Sequence, residues 1–237
     1  MIEVKNISKQ FAKLSVLNNI NLKLSAGECI AMIGPNGCGK TTLIKCILGM
    51  VIPSKGDIYF DGHSIQNEFK YRNHIGYMPQ IGRYPDNMNI GQILEMLKQI
   101  RNYDGELDME LYEEFGFDKL LNKKMSTLSG GTIQKVSATI AFMFNPKVFI
   151  LDEPTAGLDP IASEILKEKI IKEKAKGKLI LITSHLLSEL DDLITQIIFI
   201  QDGQLLFQKF VDELLIETNE KKISKAIAHF LKKEQDA

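Results

Sequence analysis

The stretch GPNGCGKTT, residues 34–42, constrains this chain more than any other. Glycine in the interior of a regular element costs about 1 kcal/mol relative to alanine. Gly34, Gly37 and Gly39 therefore mark a loop whose purpose is something other than stability. The five residues before it, Cys29-Ile30-Ala31-Met32-Ile33, are apolar on both faces, as a buried parallel strand requires. The residues after it, 41–48, read as a helix that ends at Gly49. In that setting Gly34, Pro35, Asn36, Gly37, Cys38, Gly39, Lys40, Thr41 and Thr42 form a loop that wraps a polyphosphate. Backbone N–H groups freed by the glycines turn inward, and the helix start adds partial positive charge. Lys40 is placed to reach the β- and γ-phosphates, and the Thr41 hydroxyl to ligate Mg²⁺. A plain glycine-rich turn is the alternative, and it leaves Lys40 and Thr41 unexplained. The sequence lacks the NKxD and DxxG patterns of guanine binders; Asn122-Lys123-Lys124-Met125 is the nearest approach.

A second constellation lies at 148–154, VFILDEP, an apolar strand ending in two carboxylates. Strand ends of an open parallel sheet face the ligand crevice. Asp152 there holds Mg²⁺, directly or through water, and Glu153 polarises an attacking water as general base. A solvated acidic turn is the other reading. Leu128-Ser129-Gly130-Gly131 precedes a helical run, with Ser129 as N-cap and glycines exposing N–H groups. That is a second phosphate site or an ordinary loop-to-helix turn. One nucleotide does not need two such sites, so a second copy of the chain is the expected user.

The rest of the chain organises around these motifs. Residues 19–24 alternate polar and apolar, as a half-buried antiparallel strand does. Strands are expected at 57–60, before the Asp61-Gly62 turn, and at 75–78, stopped by Pro79. Residues 80–136 read as a helical lobe, with Ile93, Leu94, Leu97 and Ile100, then Leu107, Leu111 and Phe115, at helical spacing. Strands at 148–151, 179–183 and 197–200 alternate with helical patterns at 161–175 and 186–194, which calls for a parallel sheet. Asp202-Gly203 is a hairpin turn. The tail at 221–233 carries an apolar stripe and lysines, suiting a packing helix or a surface-binding one. At 237 residues the chain buries a core without staples. With 29 Lys+Arg against 30 Asp+Glu, it shows no bulk nucleic-acid footprint. The odd cysteine count (Cys29, Cys38, Cys46) and the scattered His63, His74, His185 and His229 predict reduced thiols and no metal cluster. The N-terminus has no signal-peptide core. No apolar run approaches the about 20 residues of a spanning helix, so a cytoplasmic location is expected.

Taken together, residues 34–42, Gln80, 128–131, 150–154, Gly157-Leu158-Asp159 and His185 resemble, in order and spacing, the ATP-binding cassette (ABC) ATPases over residues 1–210. The resemblance implies an α/β P-loop NTPase (RecA-like) parallel-sheet core with a small antiparallel β subdomain and an inserted helical subdomain. It implies one domain over 1–237, with 1–79 and 137–237 as ATP-binding core and 80–136 as helical subdomain. It further implies two cassettes clamping two ATPs, each ATP between one P-loop and the other chain's Ser129–Gly131 turn. Gln80 resembles the residue linking Mg²⁺ and water to the helical lobe, and Asp159 the contact loop across the dimer. His185 resembles the switch histidine on the γ-phosphate; a surface position at a helix start is its other reading. Phe11 resembles the aromatic that stacks on adenine, with a core position as alternative. Thr132 replaces the family's usual Gln, and Ile133 and Ile140 stand where basic residues are frequent.

These features point to the ATPase subunit of a membrane transporter whose spanning permease is a separate polypeptide, with the cassette attached peripherally to the inner membrane face. Tyr84, Pro85 and Met88 are the candidate permease contact, or else a loop packed on its own lobe. A soluble ABC ATPase of cofactor or metal-centre assembly is the alternative, and no nucleic-acid partner is expected. The stretches GYMPQIGRYPDNMNIGQ and PTAGLDPIASEILKEKI are similar to the ATPase of the transporter that helps mature nitrous oxide reductase, which implies copper or sulfur traffic.

Overall fold

A computed structural model of the chain describes residues 1–184 and 193–235. The chain divides into two compact units. One joins Met1–Phe69 to Leu179–Ala237; the other is Lys70–Lys178. In chain order, the first segment contains β1 (Ile2–Phe11), β2 (Leu14–Leu24), β3 (Cys29–Ile33), α1 (Lys40–Ile47), β4 (Lys55–Phe60) and β5 (His63–Ser64). The second unit contains β6 (Ile75–Met78), α2 (Ile90–Arg101), α3 (Glu110–Glu114), α4 (Gly130–Met143), β7 (Val148–Asp152) and α5 (Pro160–Ala175). The chain then returns to the first unit with β8 (Leu179–Thr183), β9 (Gln196–Gln201), β10 (Gln204–Phe210), α6 (Val211–Thr218) and α7 (Ile223–Gln235).

In the first unit, the alternation at 19–24 becomes the second half of β2. Ile20, Leu22 and Leu24 are buried while Asn19, Asn21 and Lys23 face out. β2 pairs antiparallel with β1, and β1 with β4, giving a sheet ordered β2-β1-β4-β5. The β4–β5 hairpin turns on Asp61 and Gly62, both at positive φ. A two-residue turn of that conformation matches the natural strand twist. The other sheet in this unit is parallel where both faces are apolar. β3 lies between β8 and β9, parallel to each, and every residue of β3 and β8 is buried. β10 returns antiparallel to β9 through Asp202 and Gly203, again a positive-φ pair. Helix α7 lays Ile223, Ala226, Ile227 and Phe230 inward, with Phe230 edge-on to Phe207 of β10, so the tail helix is a packing element in this chain.

In the second unit, β6 and β7 run parallel, with Gly76 opposite Phe149. A Cβ on Gly76 would sit 2.1 Å from the Ala141 carbonyl oxygen, so a glycine lets α4 close on the strand. Helix α2 begins with a reciprocal capping box: the Asn89 side chain accepts from the Gln92 N–H at 2.8 Å, and the Gln92 side chain accepts from the Asn89 N–H at 3.0 Å. The helical cluster gathers Ile90, Ile93, Leu94, Phe117, Met125, Val136, Met143 and Phe144. Ile100 lies in α2, as its spacing leads one to expect, and is 70% exposed because the cluster ends before the helix does. One helical expectation is corrected. The stripe 107–115 shortens to α3, five residues, and Leu107 precedes it. The pattern expected at 186–194 lies largely outside the described residues.

An ionic cluster that no periodicity signals ties α3 to α5. Lys169, 1% exposed, reaches Asp108 at 2.5 Å, Glu110 at 2.7 Å and Glu173 at 3.1 Å. Glu173, fully buried, also meets Lys176 at 2.6 Å and Lys178 at 2.5 Å. Burial alone would raise the Glu173 carboxyl, but the three ammoniums outweigh it and bring it down to about 2. A carboxylate depressed below its ordinary 4.5 stabilises the fold fully above that pH, and the contribution fades as pH falls toward about 2. Acid titration followed by circular dichroism should show stability lost across that window. Removing one partner of a buried ion pair costs about 3–5 kcal/mol, so Lys169→Met should lower the urea-unfolding free energy by about that much; a loss below about 1 kcal/mol would show the cluster to be a surface network.

Candidate nucleotide site

The glycine loop joins β3 to α1 in the first unit, where the sequence places it. Gly39 is the α1 N-cap at φ 110°, a left-handed conformation, and no side chain caps the helix there. The N–H groups of the first turn are thus left for whatever the loop holds. Gly34 sits at φ 149°, and a Cβ on it would lie 1.9 Å from the Ile200 carbonyl oxygen of β9. A Cβ on Gly39 would lie 2.7 Å from Leu17 and 2.8 Å from the Val16 carbonyl oxygen. Both glycines are therefore demanded by close approach as well as by φ. The loop is tied further by the Gly203 N–H donating to the Cys38 carbonyl at 3.1 Å.

Pro35, Asn36, Gly37 and Thr41 are exposed, Lys40 and Thr42 half-buried. The Lys40 ammonium donates to the carbonyls of Gly34 at 2.7 Å and Pro35 at 3.0 Å. Those two bonds hold the cation over the loop rather than out in water. Cys38 is buried, its sulfur 3.8 Å from the Lys40 nitrogen. Phe11 is 46% exposed at the end of β1, with the Lys9 ammonium 4.7 Å from its ring centroid. It is no core residue, and its open face suits stacking on a flat ring.

The second unit brings another set together. β7 buries every residue through Asp152, which is 6% exposed. The chain then turns sharply: Glu153 takes φ 51°, a left-handed conformation that a non-glycine residue adopts at a cost of about 1–2 kcal/mol. Gln80, exposed just after β6, donates its amide to the Glu153 carboxylate at 3.0 Å. Gln134 of α4, buried, donates to the Glu153 carbonyl at 3.5 Å. Asp152 also bears on Tyr77: burial raises that phenol's pKa, and the carboxylate raises it further.

Ser129 is the α4 N-cap, accepting from the Thr132 N–H at 3.3 Å. Its hydroxyl also pairs with the Thr132 hydroxyl at 2.9 Å, so Thr132, in the place of the usual Gln, braces the cap. Ser129 and Gly130 are exposed. A Cβ on Gly131 would lie 2.7 Å from the Gly157 carbonyl oxygen, which brings the α4 start against the loop before α5. Asp159 caps α5 through the Ala162 N–H at 2.9 Å and pairs with Lys135 at 2.7 Å. The Lys135 hydrogen bond, with the Ala162 N–H behind it, holds the Asp159 carboxyl below the usual range. Ile133 and Ile140, where basic residues are frequent, pack against the helical cluster and extend its apolar surface. Tyr84 and Met88 pack on the same cluster, and the Tyr84 hydroxyl pairs with Ser137 at 2.9 Å, while Pro85 stays exposed. For those two side chains the own-lobe reading is the one observed. His185 lies outside the described residues. Sequence reasoning missed Gln134, Lys135 and the Lys169 cluster; an amide or a lysine on a helix carries no signal of its partner until the helix is docked.

The comparisons with known proteins agree with this geometry. The ABC transporter family profile matches residues 17–156. The lantibiotic transport ATP-binding protein SrtF of Streptococcus pyogenes is 32% identical over 214 residues, spanning 90% of this chain and 92% of that protein. A solved ATP-binding subunit of an ABC transporter superposes with a TM-score of 0.88 at 26% identity, over 96% of this chain and 98% of that one. A dimeric ATP-binding cassette in a post-hydrolysis state, bound to ADP and Pi, shares the fold with a TM-score of 0.78 at 24% identity, over 89% and 98% of the two chains. By these matches this chain belongs to the ABC transporter family and is an ATP-hydrolysing cassette of the P-loop NTPase fold.

Proposed function

We propose that the chain is the ATPase subunit of a transporter, working in pairs and docking at the inner membrane face on a separate spanning permease. The observation that carries the catalytic part is the Gln80–Glu153 hydrogen bond at 3.0 Å. It sets the amide of one segment directly beside the carboxylate of another, so that a single water within reach of the base is also within reach of the amide. Support for pairing comes from the dimeric cassette that shares the fold. Support for transport comes from the lantibiotic transport relative. No helix among the described residues is long and apolar enough to cross a membrane.

In this reading the loop 34–42 holds the triphosphate through backbone N–H groups, Phe11 stacks on the adenine, and Lys40 exchanges its carbonyl contacts for the β- and γ-phosphates. Glu153 takes a proton from the attacking water, Gln80 orients that water, and His185 steadies the γ-phosphate. Ser129, Gly130 and Gly131 of one copy close over the nucleotide of the other, and Asp159 lies at the same seam. Thr41, Gln80 and Asp152 would hold Mg²⁺. Their hard oxygen donors fit that ion, which takes its other ligands from phosphate and water. When bound, the ion neutralises charge on the β- and γ-oxygens.

A general base contributes about 10²–10⁴ in rate. Glu153→Gln should therefore cut ATP turnover by about that factor while ATP binding persists, as read by phosphate release and nucleotide titration; wild-type turnover would remove Glu153 from the role. The tagged chain, extracted from its native membrane in mild detergent, should retain a polypeptide with several spanning helices. Recovery with soluble partners alone would favour an assembly ATPase instead.

A further inference from the structure

The first two turns of α4 make three separate holds on the segment that follows β7. Gly131 lies against the Gly157 carbonyl, with room for no side chain. Gln134 donates to the carbonyl of Glu153. Lys135 reaches the Asp159 carboxylate at 2.7 Å. The three residues lie within five positions, so one rigid helix start grips residues 153, 157 and 159 together. Lys135 also lies 5.7 Å from the Phe115 ring centroid, next to α3.

We infer that Lys135 is a positioning residue that couples the two ATP sites of the pair. The inference rests on the dimer reading above. There, the Ser129–Gly131 turn of one copy meets one ATP, while Glu153 of that same copy serves the other. A hold between the α4 start and the 153–159 segment therefore links two different nucleotides through one chain. The Gly131 and Gln134 holds are contacts to backbone. The Lys135–Asp159 pair is the one that fixes side-chain register, and it leaves the cap at Ala162 to the other carboxylate oxygen. The Lys135 and Asp159 side chains are 26% and 51% exposed, so the pair adds little to fold stability. That separates its coupling role from a merely structural one.

The test uses the full chain in the Glu153→Gln background, where ATP-driven pairing is read by light scattering or analytical ultracentrifugation. Lys135→Met should leave the melting temperature and the single-copy ATP affinity unchanged and weaken ATP-driven pairing about threefold to tenfold, since the 153–159 segment is then no longer held ready and must be ordered in both copies on pairing. Lys135→Arg should restore it. Asp159→Asn keeps a capping side chain but loses the charge, and in the Asp159→Asn background Lys135→Met should cost nothing further if the lysine acts through that carboxylate. In the otherwise wild-type enzyme, Lys135→Met should lower the Hill coefficient for ATP while Lys135→Arg preserves it. Pairing and Hill coefficient unchanged in Lys135→Met, or full additivity with Asp159→Asn, would overturn the inference. Failure of the Glu153→Gln parent itself to pair with ATP would overturn the dimer reading instead.

Discussion

At Gly34 the chain passes so close to β9 that a single methyl group would meet the Ile200 carbonyl oxygen at 1.9 Å. The proposed phosphate-binding loop is arranged around that approach. It places the loop directly at the end of β3, which is itself held between two parallel, largely apolar neighbours. The second approach, at Gly39 against Val16 and Leu17, sets where α1 begins. The two approaches fix both ends of the loop, and no side chain caps the helix that follows it. Preorganised dipoles of this kind need no rearrangement when charge arrives, which is the physical basis of phosphate recognition without side-chain specificity.

The proposed catalytic half follows another logic. Buried strand β7 delivers Asp152 and then throws the backbone into a left-handed turn at Glu153. Such a turn persists only where neighbours over-determine it. Here the neighbours are Gln80 on the carboxylate and Gln134 on the carbonyl. Both belong to segments bordering the helical cluster, Gln80 just ahead of Tyr84 and Gln134 inside α4. Any movement of that cluster therefore acts on the proposed base through two amide hydrogen bonds.

Much of this was legible beforehand because it rests on local rules. Alternation at 19–24 produced a half-buried strand, unbroken apolarity at 29–33 a parallel one, and Asp202-Gly203 a hairpin. Ser129 capped its helix as its position before two glycines suggested. What was not legible depends on docking. Ile100 continues the apolar spacing of α2 yet faces solvent, because the cluster ends before the helix does. The stripe 107–115 is apolar at helical spacing, yet only five residues of it are helical. Lys169 and Glu173 look like one more solvated charge pair on a helix, and burial against α3 turns them into the core of an ionic network. Asp159 was read for its place at a dimer seam; its bond to Lys135 became visible only with the helices in place. The copper or sulfur traffic implied by the resemblance of residues 76–92 and 154–170 has no counterpart in the geometry of this chain for a different reason: in the proposed arrangement cargo passes through the permease, and this chain handles only nucleotide.

The central claim is that paired copies close over ATP so that Ser129 of one meets the nucleotide held by the other. The most direct measurement is a crystal structure with magnesium and a non-hydrolysable ATP analogue. The account predicts a head-to-tail pair, with the α4 start of each copy on the γ-phosphate bound by its partner's glycine loop. A nucleotide bound by the loop of a single chain, with Ser129 of both copies facing solvent, would contradict it.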